Sequence, residues 1–581
     1  MQSADSFSPP TGGIANHSTR ADVTQVRTVD RLVGELASLG VTHVFGVSGA
    51  NIEDLYDALH RSATVTGILA KHEFSAGTMA DGYARIGGGL GVVTTTSGGG
   101  ALNVVAALGE AYTSRIPVLA LIGESATHFN GRGAFQDSSG CNGTLDAERI
   151  FSPVSRYCAR VSSPDEVAWR LGEAVSAALS SPGGPAVLLL PKNVQQGLTD
   201  SVPTVSPRPQ ADPAPLDRNL SHASSVLESA SRAGGVLVIA GDGVARANAR
   251  GSLARLVDKL DAKIAVTPDA KDVFDNTDPR FVGVCGGMGG HPTVAETLAG
   301  SSACLLIGTR LPIVARDGLE DLLASLPVVC LSPEQPYVDA VVVTGVLSET
   351  LPALIRRLGE APGGVFGPGP HVRHLEAPAR PGGGLGYRDI MAVIEEALPS
   401  DAAVFVDAGN CGAAAIHHLP APRHGRFVVT LGMGGMGYTF GAAIGASFAA
   451  PNRPSRVYVI AGDGSFYMHG FELHTAVEYG LPITFVILNN NAHAMCATRV
   501  RVFHGDGYSN NRFGRTDLAA GINAMFPSLD ARNAASAEEL TRALADAHTT
   551  PGPTFISVDC DVDEVPPVTL FLEKEMVPCP R

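Results

Sequence analysis

The sequence predicts an α/β protein of three doubly wound domains, each built on a mostly parallel sheet. Short apolar segments rich in β-branched residues alternate along the chain with Ala-rich or amphipathic segments of helical length. Strands that are apolar on both faces indicate parallel sheets covered by helices on each side. The 581 residues are several times the length of one typical domain. Two Pro- and Gly-rich segments interrupt the pattern and separate three blocks of similar size.

These interruptions set the expected domain boundaries. Segments with many prolines and few aliphatic side chains cannot bury a core, so we expect them to be extended linkers. The expected segments are a disordered tail at 1–24, a first domain at 25–195, a linker at 196–217, a second domain at 218–359, a linker at 360–385 and a third domain at 386–581.

The apolar segments give the expected strands. Because parallel strands joined by right-handed crossovers end on one edge of a sheet, ligands bind beyond their carboxyl ends. The candidate functional residues are therefore those that directly follow strands. The predicted strands are Thr42–Val47, Gly91–Thr96, Pro117–Ile122, Ala186–Leu190, Val236–Ile239, Lys263–Thr267, Ala303–Ile307, Ala403–Asp407, Arg456–Ala461 and Ile483–Leu488.

Composition argues against several classes of function. A formal net charge of −15 without a basic stretch argues against binding to nucleic acid or to a membrane surface. No apolar run reaches the roughly 20 residues that a membrane-spanning helix needs. The polar residues 1–24 lack the apolar core of a secretion signal. Nine scattered cysteines without a C-x-x-C pair argue against a disulfide scaffold or a zinc ribbon. We expect a cytoplasmic protein.

The strongest chemical pattern lies in the third block. Asp463 ends one predicted strand, and Asn490 ends the next one 27 residues later, so both side chains should meet at one sheet edge. A carboxylate, an amide oxygen and the backbone carbonyl of Ala492 form an all-oxygen set that suits Mg²⁺. Gly464 allows a phosphate to approach the backbone, and the helix that begins near Ser465 offers free N–H groups to it.

This pattern resembles the diphosphate-binding residues of thiamine-diphosphate-dependent enzymes, specifically their acetolactate-synthase-like (large catalytic subunit) branch. Most of the first and third blocks resemble that branch, whereas the second block does so only in architecture. The resemblance implies pyrimidine-binding, central and diphosphate-binding domains, with thiamine diphosphate and Mg²⁺ as cofactors. Further segments stand in the family's order: FGVSGANIEDLYDALH, KHEFSAGTMADGYAR, TTTSGGGALN, GRGAFQD and LGMGGMGYTFGAAIG.

The resemblance also implies roles for individual residues. Glu73 would hydrogen-bond N1′ of the aminopyrimidine and act as a catalytic acid. Met436 would wedge beneath the bent cofactor, and the Gly434 carbonyl would accept a hydrogen bond from N4′. Gln136 would face the reacting C2 atom. Asn410 would bind the diphosphate, although an Asn at this position is equally typical of a helix cap.

Three further residues concern the substrates. Phe135 belongs to the same AFQ element as Gln136, and Ser48 replaces a proline that is common in the family. Where acetolactate synthases usually carry a tryptophan that selects the second 2-oxo acid, this chain has Arg499. An arginine there would favour an anionic acceptor through charge-assisted hydrogen bonds; the alternative is a solvated surface arginine.

Other patterns favour no function. The sequence GMGGMG at 432–437 matches a dinucleotide-binding loop, but no acidic residue occurs from Leu431 to Gly462, where that fold requires one. The adjacent residues His417 and His418 point in different directions and lack an accompanying acidic or cysteine pattern. The segment GGMGGHP at 286–292 lies where acetolactate synthases hold FAD, so FAD is possible but not favoured.

The function implied by the resemblance is decarboxylation of a pyruvate-like 2-oxo acid and transfer of the acyl-anion equivalent to a second carbonyl compound. Within enzymes, a non-ligating 2-oxo acid decarboxylase and a 2-hydroxyacyl-CoA lyase remain alternatives. A catalytically silent relative that only binds the cofactor is the alternative of another class. In this family the acid and the diphosphate site come from different subunits, so a homodimer or a homotetramer is implied. The expected partners are small molecules.

Overall fold

A computed structural model describes residues 25–87, 89–200, 217–359, 371–378, 382–449, 453–505 and 510–576. It contains three α/β domains, and each has one six-stranded, wholly parallel sheet. This confirms the predicted fold class, and each of the ten predicted strand segments overlaps an observed strand. The expected tail at 1–24 and most of both expected linkers, at 201–216, 360–370 and 379–381, lie outside the described residues. No helix in the described part of the chain is long and apolar enough to cross a membrane.

The first domain has the sheet order β3-β2-β4-β5-β7-β6 and a separate two-stranded antiparallel ribbon of β1 and β8. The ribbon includes residues 198–200, so this part of the expected 196–217 linker is strand. The strands of the first domain are β1 (Gln25–Arg27), β2 (His43–Gly46), β3 (Thr66–Leu69), β4 (Gly91–Thr95), β5 (Val118–Glu124), β6 (Tyr157–Arg160), β7 (Ala186–Pro191) and β8 (Leu198–Asp200). Its helices are α1 (Thr28–Ser38), α2 (Glu53–Arg61), α3 (Glu73–Gly87), α4 (Gly99–Ser114), α5 (Ala147–Phe151), α6 (Val167–Leu179) and α7 (Lys192–Gln196).

The second domain has the sheet order β11-β10-β9-β12-β13-β14. Its strands are β9 (Val236–Ala240), β10 (Lys263–Val266), β11 (Phe281–Val284), β12 (Ala303–Ile307), β13 (Val328–Leu331) and β14 (Val341–Val343). Its helices are α8 (Asp217–Arg232), α9 (Gly243–Arg246), α10 (Arg250–Leu260), α11 (Pro292–Ala299), α12 (Ile313–Arg316), α13 (Glu320–Ala324) and α14 (Leu347–Arg357).

The third domain has the sheet order β16-β15-β17-β18-β20-β19, which repeats the topology of the first sheet strand for strand. Its strands are β15 (Ala403–Val406), β16 (Arg426–Val429), β17 (Val457–Gly462), β18 (Ile483–Asn489), β19 (Asp530–Ala534) and β20 (Thr554–Asp559). Its helices are α15 (Tyr387–Ala397), α16 (Asn410–His418), α17 (Tyr438–Ser447), α18 (Asp463–His469), α19 (Leu473–Glu478), α20 (Ala494–His504), α21 (Leu518–Met525), α22 (Ala537–Thr549) and α23 (Thr569–Met576).

The order of strands places the candidate residues. In the first sheet the chain reverses its direction of winding between β2 and β4, and in the third between β15 and β17. A crevice forms at such a switch point, beyond the carboxyl ends of the two strands. Alternate residues of β15 enter separate apolar clusters, with Val404 in one and Phe405 in the other. Both faces of this sheet are therefore buried, which leaves its edge loops to carry polar function.

Helices α3 and α17 join the first and third domains through close backbone contact. A Cβ atom at Gly82 would overlap the backbone of Ala442, and one at Gly445 would overlap the Met79 carbonyl. Glycine at these positions therefore lets the two helices approach closely. Tyr438, at the start of α17, donates a hydrogen bond to Asp81 on α3.

The second domain contacts the third through buried polar groups. The Lys271 ammonium donates to the carbonyls of Ala415, Ile416 and Leu419 at the end of α16. Desolvation by burial lowers the pKa of Lys271 to about 7. The lysine therefore satisfies carbonyls that the end of a helix leaves without partners.

Histidines also lie at this contact. The ring nitrogens of His291, His374 and His417 lie within 4.8 Å of one another. Those of His291 and His417 are engaged by backbone groups, with the Val284 N–H at 3.0 Å from His291 and the Leu375 N–H at 2.9 Å from His417. His291 also lies 3.0 Å from the His417 carbonyl. Hydrogen bonds thus account for the imidazoles of His291 and His417.

The loop at 286–292 contacts the C-terminal segment. The Gly289 N–H donates to the Pro567 carbonyl at 2.9 Å, and the Thr569 N–H donates to the Gly287 carbonyl at 3.0 Å. The backbone of this loop, considered in the sequence as a place for FAD, is therefore engaged by chain that precedes and enters α23.

We expect Gly445→Ala to destabilise the protein by about 1–3 kcal/mol, because the added methyl group forces α3 and α17 apart. Gly34→Ala is the matched control, since Gly34 is exposed on α1 and nothing lies within 4 Å of an added Cβ. There alanine should stabilise the helix by roughly 0.5–1 kcal/mol. Urea unfolding of both variants measures the difference, and equal midpoints would show that the two helices separate without cost.

Candidate active site

A cleft lies beyond the switch point of the third sheet. Its walls come from the loops after β15, β17 and β18, from the first turn of α20 and from the Gly-rich loop before α17. The lining residues are Tyr387, Ala408, Gly409, Asn410, Cys411, Met436, Gly462, Asp463, Gly464, Ser465, Leu488, Asn490, Ala492, His493, Ala494, Met495 and Cys496. All of the candidates predicted for the metal and the diphosphate therefore lie in one place.

Asp463 is the most buried acidic group of the cleft, with 1% of its surface exposed. Its Oδ1 accepts the Gly464 N–H at 3.0 Å. Its Oδ2 is buried and has no hydrogen-bond partner among the described residues. Desolvation by burial raises the pKa of Asp463 to about 6, although the nearby backbone N–H groups, that of Gly464 first, favour the ionised form. A buried oxygen without a partner is costly unless a ligand satisfies it.

Two amide oxygens near Asp463 are also buried without a hydrogen-bond partner. Oδ1 of Asn490 and Oδ1 of Asn410 are buried and lack partners within the described ranges. The Asn410 amide is held from its other end, because its Nδ2 donates to the Tyr387 hydroxyl at 3.2 Å. Unpaired carboxylate and amide oxygens are the ligand types that Mg²⁺ prefers. The arrangement therefore fits a small divalent cation held by Asp463 and Asn490, and Ala492 lines the same cleft.

The backbone around Gly464 leaves space that a side chain would fill. A Cβ atom there would lie 2.5 Å from His493 Nδ1 and 3.5 Å from Met436 Cε. Glycine thus keeps the start of α18 open to a ligand. The Ser465 hydroxyl is already engaged, since it donates to Asp407 at 2.8 Å. Only the backbone of Ser465 remains for the diphosphate contact that the sequence predicts.

Asp407 organises the cleft, and the sequence analysis did not single it out. It follows β15 directly and is 2% exposed. It accepts the Gly437 N–H at 3.0 Å, the Thr439 hydroxyl at 2.8 Å and the Ser465 hydroxyl. Burial raises the pKa of Asp407, although these donors act in the opposite direction. One carboxylate thereby fixes the starts of both α17 and α18; its position at a strand end was the available signal.

The Gly-rich loop that Asp407 holds contains Gly434 and Met436. Gly434 has φ of +65°, which glycine adopts without strain, and its site is open, with nothing within 4 Å of an added Cβ. Met436 lines the cleft. Phe74 of α3 packs against the same loop, 3.4 Å from the Cβ position of Gly435. The loop is therefore shaped by the first domain as well as the third.

His493 is a second residue that sequence reasoning missed. It lies where the loop after β18 enters α20, and its ring meets the Phe513 ring edge-on with centroids 4.8 Å apart. Its Nδ1 is buried and has no partner in the part of the chain that the structure describes. The side chain therefore presents an unsatisfied polar atom beside Gly464.

Glu73 lies at the first-domain edge. It begins α3, and its Oε2 accepts the Asn103 amide at 3.0 Å. A Cβ at Gly100 would lie 3.0 Å from its Oε1, so glycine permits this approach. Burial, and to a lesser degree the charge of Glu73, raises the pKa of Tyr56. Glu73 is not among the residues that line the third-domain cleft.

Gln136 lies at the same first-domain edge as Glu73. Its Oε1 lies 3.4 Å from the Thr96 hydroxyl and 3.3 Å from the Ser97 hydroxyl, just after β4. Phe135 is 72% exposed, and Ser48, between β2 and α2, is also exposed. These residues surround the switch point of the first sheet rather than that of the third.

Arg499 is exposed on α20, and it is not among the residues lining the cleft. Met495 and Cys496, one turn earlier on the same helix, do line it. Arg501 instead donates to the Asp563 carbonyl at 3.1 Å. Arg499 therefore lies one turn after cleft-lining residues of α20, but it does not itself line the cleft.

Replacing the Asp463 carboxylate should separate two effects: the destabilisation caused by burying its charge, and the stabilisation gained when it binds a cation. At pH 7 the side chain of Asp463 is ionised in both the folded and the unfolded chain, so the destabilisation from burying its charge is fully present. This destabilisation develops as the pH rises from about 4, the pKa in the unfolded chain, to about 6, the pKa in the folded protein. Asp463→Asn should therefore raise the melting temperature of the metal-free protein at pH 7. Added Mg²⁺ with thiamine diphosphate should stabilise the unmodified protein but not Asp463→Asn.

Thermal unfolding with and without the two ligands provides the measurement, and Asp530→Asn, at an exposed aspartate, is the control. A ligand-dependent shift that survives in Asp463→Asn would remove Asp463 from the cation site.

Comparison with protein-family models gives three matches in chain order. Residues 26–142 match the N-terminal TPP binding domain of thiamine pyrophosphate enzymes, residues 220–332 match their central domain, and residues 407–558 match their C-terminal TPP binding domain. Together the three matches cover more than half of the chain and correspond to the three observed sheets.

Curated relatives span nearly the whole chain. A probable acetolactate synthase large subunit of Methanocaldococcus jannaschii is 26% identical over 94% of this chain and 93% of its own length. An acetolactate synthase of Arthrospira platensis is 28% identical over 93% and 95%, respectively. An acetolactate synthase large subunit of Corynebacterium glutamicum is 25% identical over 88% and 82%. With three domain matches in order and relatives that it matches over most of their length, the chain belongs to the thiamine pyrophosphate enzyme family.

Proposed function

We propose that the protein is a thiamine-diphosphate-dependent carboligase of the acetolactate-synthase type. It would decarboxylate a pyruvate-like 2-oxo acid and transfer the acyl unit to a second carbonyl compound. The observation that carries the proposal is the set of unpartnered buried oxygens of Asp463, Asn490 and Asn410 in a domain that matches a TPP-binding model. In a protein that bound no cation or diphosphate there, these buried oxygens would destabilise the fold with no ligand to compensate.

The cofactor's anionic end would lie in the third-domain cleft. Asp463, Asn490 and the Ala492 carbonyl would hold Mg²⁺, which in turn neutralises the diphosphate. Gly464 and the backbone N–H of Ser465 would receive the phosphate oxygens at the start of α18. Asn410 would donate the second N–H of its amide, beside the one that reaches Tyr387, to a phosphate oxygen from the opposite wall. Met436, beside the open backbone of Gly464, would support the centre of the cofactor.

The cofactor's pyrimidine end would meet Glu73. Because Glu73 lies at the first-domain edge and all the cleft walls come from the third domain, we propose that two chains combine to complete each site. The active species would be a homodimer or a homotetramer. Asn103 would hold the Glu73 carboxylate towards the aminopyrimidine N1′, where it could give and receive a proton.

When bound, thiamine diphosphate supplies a nucleophilic carbon and an electron sink for the carbanion that decarboxylation leaves. The chain's own part is to bind the two substrates and exclude water. Gln136 would hydrogen-bond the donor 2-oxo acid, and the exposed ring of Phe135 would cover it. Ser48 would border the same pocket. Arg499 would receive an anionic acceptor at the mouth of the site.

We expect Glu73→Gln to retain cofactor binding but to lose activity, since glutamine keeps the shape of the side chain and cannot carry the proton. The rate of CO₂ release from pyruvate and a panel of 2-oxo acids should fall about 10²-fold or more. The calorimetric Kd for thiamine diphosphate with Mg²⁺ should change less than threefold. Glu538→Gln, at an exposed acid on α22, is the control.

Unchanged turnover in Glu73→Gln would contradict the assigned role. Bound cofactor without turnover of any 2-oxo acid by the unmodified protein would instead favour a catalytically silent relative.

We expect Arg499→Trp to shift the acceptor preference from anionic to neutral carbonyl compounds, because the guanidinium that attracts the anion is lost. Competition between a 2-oxo acid and an aldehyde acceptor, read from product masses, should change about tenfold. Arg515→Trp, at another exposed arginine, should leave the ratio unaltered. An identical product ratio in both variants would show that Arg499 is a solvated surface residue.

A further inference from the structure

Asn51 lies at the switch point of the first sheet, one side chain away from Gln136. It is 7% exposed and follows β2 by five residues. Its Nδ2 donates to the Ser97 hydroxyl at 2.7 Å, and its backbone N–H donates to the Thr96 hydroxyl at 3.3 Å. Both hydroxyls in turn contact Oε1 of Gln136. Asn51 therefore contacts both hydroxyl groups, those of Ser97 and Thr96, that hydrogen-bond the Gln136 amide oxygen.

The direction of these hydrogen bonds follows from which groups can only donate or only accept. The Phe135 carbonyl can only accept, and Asn51 Nδ2 lies 3.4 Å from it, which fixes the orientation of the Asn51 amide. Ser97 must then accept from Asn51 and can donate its own proton onward. A backbone N–H can only donate, so Thr96 is set in the same direction. Both protons point to Gln136 Oε1.

Asn51 is held firmly enough to impose this direction. Its carbonyl accepts the Gln195 amide at 2.8 Å, and Gln195 is 1% exposed. A Cβ at Gly123 on β5 would overlap the Asn51 carbonyl, so the backbone is packed directly on the sheet.

The position of Gln136 is equally constrained. It has φ of +58°, a conformation that residues other than glycine seldom adopt. A Cβ at Gly98 would lie 2.9 Å from Gln136 Cγ, so the glycine is what allows the side chain to lie over the loop after β4. Each contact to Oε1 is long for a hydroxyl donor and weak alone, but the two act on the same oxygen.

We propose that Asn51 is a positioning residue that, through Ser97 and Thr96, holds Gln136 with its amide NH₂ turned towards the reacting site. The site would then offer a hydrogen-bond donor, which suits the carboxylate or carbonyl oxygen of a 2-oxo acid and disfavours a donor group there. This deepens the proposed function and rests on it. Asn51 would act through Ser97 and Thr96 and not on the substrate directly.

The test is a double-mutant cycle on the holoenzyme with Asn51→Asp and Gln136→Leu. A carboxylate at position 51 cannot donate, so Ser97 would donate to it and present a lone pair to Gln136. Thr96, still oriented by the backbone N–H of residue 51, would then oppose Ser97, and the Gln136 amide would lose its single orientation. The probe is methyl acetylphosphonate, in which a phosphonate monoester replaces the carboxylate of pyruvate. Its calorimetric Kd should rise at least tenfold in Asn51→Asp, and the KM for pyruvate should rise in parallel.

Three comparisons separate positioning from a merely structural effect. In the Gln136→Leu background, Asn51→Asp should lose the part of its effect that acts through the amide and keep only the repulsion between its carboxylate and the anionic probe, so the loss in the double variant should be smaller than the product of the two single losses. Ser97→Ala, which removes one donor without reversing the other, should weaken the probe by less. The Kd for thiamine diphosphate should stay within threefold in every variant.

Independent, multiplying losses in the double variant would overturn the positioning role while leaving the proposed function intact. Failure of the unmodified holoenzyme to bind the probe or to turn over any 2-oxo acid would overturn both.

Discussion

The structure depends on a buried carboxylate that has no partner of its own. Asp463 Oδ2 lies in the interior beside the unpaired oxygens of Asn490 and Asn410, and the protein does not relieve this with any neighbouring donor among the described residues. Desolvation of this kind destabilises the ligand-free fold, and the cation that we propose would offset that cost on binding. The surrounding parts are consistent with that constraint. Asp407, which is just as buried, is fully surrounded by donors and so fixes the loops instead of awaiting a ligand. Two aspartates that follow neighbouring strands thus have opposite uses, set by how many donors reach each one.

The repeated topology explains why the polar residues divide into two groups. The first and third sheets have the same strand order, so each has a crevice at an equivalent switch point. The third-domain crevice presents oxygens that await a cation, and the first-domain crevice presents Glu73 and the Gln136 amide. Close packing of α3 on α17, which Gly82 and Gly445 permit, joins the two domains. Because Glu73 is not among the residues that line the third-domain cleft of its own chain, we propose that each site combines the crevices of two chains.

The sequence predicted what depends on local pattern. Buried parallel strands are recognisable as apolar runs, and a residue that ends such a strand is assigned to the sheet edge without further information, which is why Asp463 and Asn490 could be paired across 27 residues. Asp407 had the same signal, but nothing in the sequence shows that Gly437, Thr439 and Ser465 converge on it. His493 and Asn51 depend on where one loop approaches another, which spacing along the chain does not encode. The role of Arg499 stays a prediction, because its place in the chain suggests a substrate contact and the described fold shows only that it is exposed on α20.

Hydrogen-bond direction links the two crevices to one kind of substrate. A cleft of acceptors, as around Asp463, attracts a metal and through it a diphosphate, whereas a 2-oxo acid carries only acceptors and needs a donor. In the proposed arrangement, the first-domain loops would provide this donor through the neutral amide of Gln136. Asn51 donates a hydrogen bond to Ser97, and Ser97 donates one to Oε1 of Gln136. The Gln136 NH₂ group is therefore left as an uncharged donor with a fixed direction. A lysine or arginine in that position would bind the carboxylate more strongly but would also stabilise it against the loss of CO₂. A neutral amide binds the acid while leaving decarboxylation favourable, because interactions assist catalysis only when they are stronger in the transition state than in the ground state.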